Sequence, residues 1–288
     1  MRIAITGSTG FIGSALTQWF ISQHHSVTRV ARDLTFKNPY HLAPLENQDV
    51  VIHLAGENIA KKKWTEEQRA KIKESRVQGT TFLSESLVKL KNPPKILFSD
   101  SAIGFYGNRN PQEKIDESSS SGQGFLPQVA QAWEKATKVA QEKGIRVIHM
   151  RFGLVLAAHG GALSRMLPLF KLGLGGRVGS GKQIMSWIAL SEIGPALSHL
   201  ISCQEISGPV NFVSPQSLSN EEFSHVLAKT LSRPAFFPLP AFMARLLLGE
   251  MAEELLLSGA CVIPKKLQES GYSFKFPSLT EALRHLLQ

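Results

Sequence analysis

Residues 2–6, Arg-Ile-Ala-Ile-Thr, form a short apolar run cut off by Gly7, and Gly10 and Gly13 follow at three-residue spacing. No other feature constrains the fold as tightly. An apolar run of this length, without alternation, reads as a strand buried on both faces of a parallel sheet. Behind it Phe11, Ile12, Ala15, Leu16 and Phe20 recur at helical spacing. A strand, a glycine-punctuated turn and a helix, in that order, make a phosphate cradle. Gly7 permits the tight turn, Gly10 lets a pyrophosphate approach the backbone, and Gly13 lets the helix lie against the sheet. The helix start adds free N–H groups and the positive end of its dipole. The expected ligand is a dinucleotide, held by Gly7, Thr9, Gly10, Phe11, Ile12 and Gly13.

The pattern then repeats. Residues 26–31, 50–55, Lys95–Ser99 and Arg146–Arg151 read as strands, and 65–90 and 126–143 as helices. The first of these helices opens at Thr65-Glu66-Glu67, a cap followed by acidic first-turn residues. Alternating strands and helices predict an α/β fold with a Rossmann-type doubly wound parallel sheet. From about residue 153 the pattern loosens into a glycine-rich loop at Gly173–Gly181, helices near 191–203, 220–231 and 240–257, and a late strand near 209–213. The expected division is a dinucleotide domain of residues 1–152 plus about 183–213, with a smaller, mostly helical C-terminal lobe from about 153–182 and 214–288. Residues 235–285 form its C-terminal subdomain. Leu239–Ile263 is the most apolar stretch, but Arg245, Glu250, Glu253 and Glu254 interrupt it. It reads as an amphipathic helix packed on the protein.

Where the second strand ends, a carboxylate would hold the ribose 2′-hydroxyl of NAD. Here that end reads Val30-Ala31-Arg32. A 2′-phosphate would be repelled by a carboxylate and pairs well with a guanidinium. Ala31 and Arg32 therefore favour NADP(H) over NAD(H). The bland reading, that Arg32 is an ordinary surface arginine, gains some weight from Asp33 beside it.

The formal net charge of +9 admits nucleic acid, a membrane surface or an anionic small ligand as partner. The basic residues are scattered, however, and the densest run, Lys61-Lys62-Lys63, lacks an aromatic platform. No nucleic-acid partner is expected. No apolar run approaches the roughly 20 residues of a membrane span, so no membrane partner is expected either. Cys203 and Cys261 are far apart and the nine histidines lack metal-ligand spacing, which predicts a reduced, cytoplasmic protein without metal. Met1-Arg2 leads straight into the first strand, so no leader is expected. A monomer or homodimer fits. Gly176-x4-Gly181-Lys182 nearly spells a nucleotide-hydrolysing loop, but Gln183 stands where Ser or Thr should bind Mg²⁺, and no apolar strand precedes it. Ser99, Asp100 and Ser101 lack the elbow of a hydrolase nucleophile.

Thr6-Gly7-x-x-Gly10-x-x-Gly13, Asp49-Val-Val-Ile-His-Leu-Ala-Gly56 and Ser99-Asp-Ser101 together resemble an extended short-chain dehydrogenase/reductase of the NAD-dependent epimerase/dehydratase type. Ala55-Gly-Glu-Asn-Ile59, Trp64-Thr-Glu-Glu-Gln68, Ser75-Arg76, Arg151-Phe-Gly-Leu-Val-Leu156, Leu172-Gly-Leu-Gly-Gly176 and Asn211-Phe-Val-Ser-Pro215 narrow this. They resemble the atypical "epimerase family" branch, sometimes labelled cell-division inhibitors, which carries its own small C-terminal domain. The resemblance implies that Leu54, Ala55 and Gly56 pass under the adenosine side of the cofactor, with Glu57 also among the cofactor-binding residues. It places Arg76, Ser99 and Arg151 around the cofactor and Leu154 near the nicotinamide. Two departures stand out. The 33–48 segment is short for a helix plus a strand, and Ala189 and Glu192 stand where the branch tends to show His and Asp.

The family's relay is a Tyr-x-x-x-Lys pair, a serine and an asparagine. Ser101 fits the serine. The tyrosine position falls at Leu126, the lysine at Ala130 and the asparagine at Arg76. None of the three tyrosines, Tyr40, Tyr106 and Tyr272, has a lysine four residues on. Two readings stay open. One is an oxidoreductase or epimerase with a substitute acid/base, Tyr106 first and Glu57 next; the bland alternatives are a packed loop aromatic and a loop hydrogen bond. The other is a non-catalytic NADP(H)-binding sensor or regulatory protein. The small-molecule substrate is left open.

Overall fold

The first apolar run folds as a central strand because its side chains have cover on both faces. β1 (Arg2–Thr6) buries Ile3, Ala4 and Ile5 completely. The computed structural model describes residues 1–31, 43–60 and 62–287. After β1 come α1 (Phe11–Ser22), β2 (Ser26–Val30), β3 (Val50–His53), α2 (Glu66–Leu87) and β4 (Ile96–Ala102). They are followed by α3 (Phe125–Lys135), β5 (Arg146–Phe152), α4 (Leu190–Ser202) and β6 (Gly208–Phe212). The sheet order is β6-β5-β4-β3-β1-β2. β1 pairs in parallel with β2 and β3, and β3 with β4. The chain thus steps from β1 outward to β2 and then crosses back to β3, so β1 and β3 flank the switch point where such sheets bind ligands. The doubly wound parallel architecture is as expected.

Two compact units divide the chain. The first comprises Met1–Ala102, Gln128–Arg151 and Ile193–Val210. Its core joins Ala4, Val51 and Leu97 of the sheet to Leu83 and Leu87 of α2. The caps explain where α2 begins: the Thr65 side chain accepts from the Gln68 N–H, and Glu66 and Glu67 sit at the positive end of the dipole. The second unit comprises Ile103–Pro127, Phe152–Glu192 and Asn211–Gln288. Here Trp187, Phe170, Phe223 and Leu283 pack together, drawn from a short strand and three helices at 161–171, 220–230 and 279–287. Residues 103–127, grouped with the dinucleotide domain in the sequence reading, lie in this second unit. Buried Glu192 accepts from the N–H groups of Lys275 and Phe276 and from the Tyr272 hydroxyl, and so ties down the C-terminal segment. Glu192 therefore has a structural task here.

Leu239–Ile263 is not one packed helix. It breaks at Gly249, whose φ is +60°, into Ala241–Leu248, Glu250–Ala252 and a π turn at Glu253–Leu257. Phe242, Leu246 and Leu247 of its first helix are 67%, 77% and 55% exposed. Part of the apolar face expected to pack lies open. Of the short 33–48 segment, residues 33–42 lie outside the described residues, and Ala43–Leu45 form a single 3₁₀ turn before β3.

Candidate active site

The turn after β1 has the geometry a phosphate cradle needs. Gly7 has φ +67°, and a Cβ on it would come within 2.7 Å of the Leu54 backbone. A Cβ on Gly13 would lie 2.2 Å from the Gly7 carbonyl oxygen. These two glycines are demanded by the fold itself. Gly10 differs. It is exposed, has φ −76°, and its added Cβ would meet only the Gly7 oxygen, at 3.2 Å. The chain's own packing makes a weak demand for glycine there, which leaves a close-lying ligand as the stronger reason. Gly10 caps α1 without any side-chain bond, so the helix opens with the uncapped N–H groups of Phe11 and Ile12. Thr9, beside them, is exposed. The residues present fit a diphosphate.

The neighbouring segments continue the cradle. The register sets Thr6 against Val30, so Ala31 leaves the sheet at the level of Gly7. Arg32 lies outside the described residues. At the end of β3 the Leu54 N–H donates to Thr6, through its carbonyl oxygen and its hydroxyl at 3.3 and 3.2 Å. Ala55 is buried and Gly56 exposed. The Glu57 N–H donates to the Ser75 hydroxyl at 3.1 Å, while Arg76 Nη1 donates to the Glu57 carbonyl at 3.0 Å. The Arg76 guanidinium thus lies beneath Gly56 and stacks over the Trp133 ring, 4.9 Å from its centroid. In the structure it clasps the loop at 54–57, the segment the resemblance sets under the cofactor.

A buried chain of hydrogen bonds links this cradle to α3. Thr6 Oγ1 meets His53 Nδ1 at 2.7 Å, His53 Nε2 meets Thr80 Oγ1 at 3.1 Å, and Trp133 Nε1 donates to Thr80 Oγ1 at 2.9 Å. Burial holds the imidazole neutral and pushes its pKa down to about 4. A histidine that titrates near 6.5 when unfolded then takes up its proton more readily in the unfolded chain. The stability it contributes is complete above about pH 6.5 and is lost as pH falls toward 4, on the order of 3 kcal/mol in all. Asp100 works with the opposite sign. Burial raises its carboxyl to about 7, with the Arg76 charge pulling back, so its penalty grows as pH rises from about 4 to 7. Urea midpoints of the wild type, His53→Gln and Asp100→Asn at pH 5 and pH 7 separate the two. His53→Gln should lose less stability than the wild type on acidification, and Asp100→Asn should gain stability at pH 7. Parallel pH dependence in all three proteins would contradict both assignments.

At the carboxyl end of β4 the structure assembles a group that no sequence motif announced. Ser101 Oγ donates to Glu134 Oε1 at 2.8 Å. Arg151 grips the same carboxylate with two bonds, Nε to Oε1 and Nη2 to Oε2, both 2.8 Å. Ser101 and Arg151 are 2% and 3% exposed. Glu134 lies on α3 four residues past Ala130, the position expected for the relay lysine. One helical turn further along, it faces the same side as that position. The only signal that could have found it is this i+4 spacing. Ser99, two residues before Ser101 on the same face of the strand, is fully buried, and its hydroxyl has no hydrogen-bond partner among the described residues. No group of His, Cys, Asp or Glu among the described residues could hold a metal.

Tyr106, the first substitute acid considered, lies in the second unit. It is fully buried among Ile115, Val213, Ala260 and Val262, and its hydroxyl donates to Asn211 Oδ1 at 2.8 Å. Asn211 in turn donates to the Ile263 carbonyl, and its N–H donates to Glu117. A phenol so engaged is a core tie, and Tyr106 is withdrawn as the proton donor. Leu154 also lies in the second unit and opens a short strand, its N–H donating to the Ser186 carbonyl at 2.9 Å.

A glycine turn at a switch point, an uncapped helix N-terminus and a serine at the end of β4 define a dinucleotide-binding protein of the extended dehydrogenase/epimerase class. Residues 3–205 match the model of the NAD dependent epimerase/dehydratase family, and the chain belongs to that family. Residues 239–286 match a domain of unknown function, DUF1731. The chain is 38% identical to the epimerase family protein MT2273 of Mycobacterium tuberculosis, over 98% of this chain and 96% of that one. It is 34% identical to YfhF of Bacillus subtilis, over 100% of this chain and 98% of that one. Among solved structures it resembles the human epimerase family protein SDR39U1 (isoform 2), crystallised with NADPH. There the TM-score is 0.91 and the identity 33%, with 99% of each chain covered.

Proposed function

We propose that the chain binds NADP(H) in the Gly7–Gly13 turn and uses it for oxidoreductase or epimerase chemistry on a small hydroxyl-bearing substrate. The observation that carries this reading is the turn itself, where exposed Gly10 leaves space over an uncapped helix start. The NADPH in the human relative's crystal structure supports the phosphorylated cofactor, as does the Ala31-Arg32 end of the second strand. Bound there, the nicotinamide supplies or accepts a hydride. Ser101 spends its only proton on Glu134, so its oxygen is left with lone pairs that can only accept. Such a serine orients a substrate that donates, a hydroxyl rather than a carbonyl. Asp100, its carboxyl lifted to about 7, has the affinity to hold a proton on a carboxyl oxygen near neutral pH. Both cysteines are free, which suits a reduced cytoplasmic setting.

Titration of the purified protein with NADPH and NADH tests the cofactor. NADPH should bind at least tenfold tighter, about 1.4 kcal/mol, and Arg32→Ala should erase the difference. Equal binding of the two would remove the case for Arg32. The second reading, a binder without turnover, is favoured by the Tyr106 hydroxyl lying locked in a core. It predicts tight NADPH binding with no NADP⁺ reduction in the presence of any secondary alcohol tried, whereas the first predicts reduction that Ser101→Ala abolishes.

A further inference from the structure

The second unit exposes apolar side chains in one sequence-local group. Leu169, Leu172 and Leu174 are 54%, 72% and 48% exposed, and Phe236, Phe242 and Leu246 are 82%, 67% and 77% exposed. The two segments that carry them run side by side. Leu174 bridges Ala235, the Phe237 N–H donates to the Gly175 carbonyl at 3.2 Å, and the Leu239 N–H donates to the Arg177 carbonyl at 2.9 Å. This pairing sets the exposed Leu172–Leu174 stretch beside Phe236 and Phe237, so exposed apolar side chains concentrate on neighbouring segments instead of scattering singly. The charges around it are mostly positive, with Glu221, Glu250 and Glu253 the carboxylates nearest to it along the chain or by ion pair. Residues 161–182 contain Arg165, Lys171, Arg177 and Lys182 and no Asp or Glu. Residues 229–249 contain Lys229, Arg233 and Arg245 and again no Asp or Glu. Arg177 and Arg245 are balanced by Glu221 and Glu253, while Lys171, Lys182, Lys229 and Arg233 stand exposed.

We propose that this patch is a peripheral docking surface for an anionic phospholipid bilayer. Apolar tips, three of them phenylalanines (Phe236, Phe237 and Phe242), would enter the acyl boundary while the cations meet the headgroups. The net positive charge decides between occupants. Two such faces on copies of this chain would repel each other, whereas an anionic headgroup layer attracts the patch. The side chains protrude, which suits a fluid surface that needs no matching cavity. This differs from a membrane span: no helix among the described residues is long and apolar enough to cross. The sequence-based expectation of no membrane partner rested on the lack of a spanning segment, which a peripheral surface does not need.

The test is co-sedimentation of the full chain with vesicles of phosphatidylcholine containing about a third phosphatidylglycerol, against pure phosphatidylcholine. Binding should be at least tenfold stronger to the anionic vesicles and should weaken as salt rises. Phe236→Ser with Phe242→Ser and Leu246→Ser should abolish it, and Lys171→Glu with Arg233→Glu should cut it at least tenfold. All of these side chains are exposed, so thermal unfolding and NADPH binding should stay at wild-type values. No binding to anionic vesicles by folded, monodisperse protein would overturn the proposal. So would a concentration-dependent dimer lost in the triple variant, which would give the face to a second copy.

Discussion

Glu134→Ala is expected to destabilise the chain by about 3–5 kcal/mol, the usual loss when one partner of a buried ion pair is removed. Arg151 is 3% exposed and spends two bonds on this carboxylate, and Ser101 spends a third. Alanine strips a buried guanidinium of its counter-charge and leaves the Ser101 hydroxyl without its acceptor, and no water replaces them at low cost. Glu134→Gln keeps the shape and one acceptor oxygen but loses the charge and the two-pronged grip, so it should fall between. Denaturant midpoints and slopes measure this directly. A loss below about 1 kcal/mol for Glu134→Ala would mean the pair is no better than a surface contact. The same variant should also lose NADP⁺ reduction, because Ser101 would no longer be oriented, and the Ser101→Ala control separates that effect from unfolding.

Gly13→Ala should cost both stability and cofactor. Its Cβ would sit 2.2 Å from the Gly7 oxygen and 2.9 Å from the Gly7 carbon and the Ser8 Cα, all backbone atoms that cannot rotate away. α1 must then lift from the turn, at a cost of about 1–3 kcal/mol or more, and its first N–H groups leave the phosphate position. NADPH affinity should drop at least a hundredfold, about 2.7 kcal/mol. Gly10→Ala supplies the contrast. Its Cβ meets only the Gly7 oxygen, at 3.2 Å, so the midpoint of unfolding should stay near wild type. A pyrophosphate passing over Gly10 would still be pushed off, and affinity should fall as far as in Gly13→Ala. If Gly10→Ala bound NADPH normally, the diphosphate would not lie over this turn.

The parts of the molecule legible in the sequence are those whose demands are local. Glycine spacing after an apolar run defines β1, the turn and α1 because each step is a short-range steric requirement. Thr65 announced the start of α2 for the same reason. The features not legible there depend on pairings distant along the chain. Glu134 is an unremarkable helix residue until β4 and β5 bring Ser101 and Arg151 to it. Tyr106 sits in a suggestive Gly-Phe-Tyr-Gly loop, yet its hydroxyl is claimed by Asn211, more than a hundred residues on. The helical pattern of 239–263 carries the right apolar count for burial, but burial depends on whether a partner surface exists, and periodicity does not report that. In the sequence Asp100 figures only within Ser99-Asp-Ser101, which lacks a hydrolase elbow; its lifted carboxyl arises from tertiary burial.

The division into two units has a consequence for the gene. The chain passes from one unit to the other after residues 102, 127, 151, 192 and 210, and the last of these passages falls inside β6. A single cut at any of these points leaves a fragment with pieces of both units or an incomplete first one. Neither half is then expected to fold as an autonomous module or to be shuffled intact onto another protein. A nonsense codon as late as the final passage should act as a null allele, because it removes most of the second unit and clips the edge strand of the first.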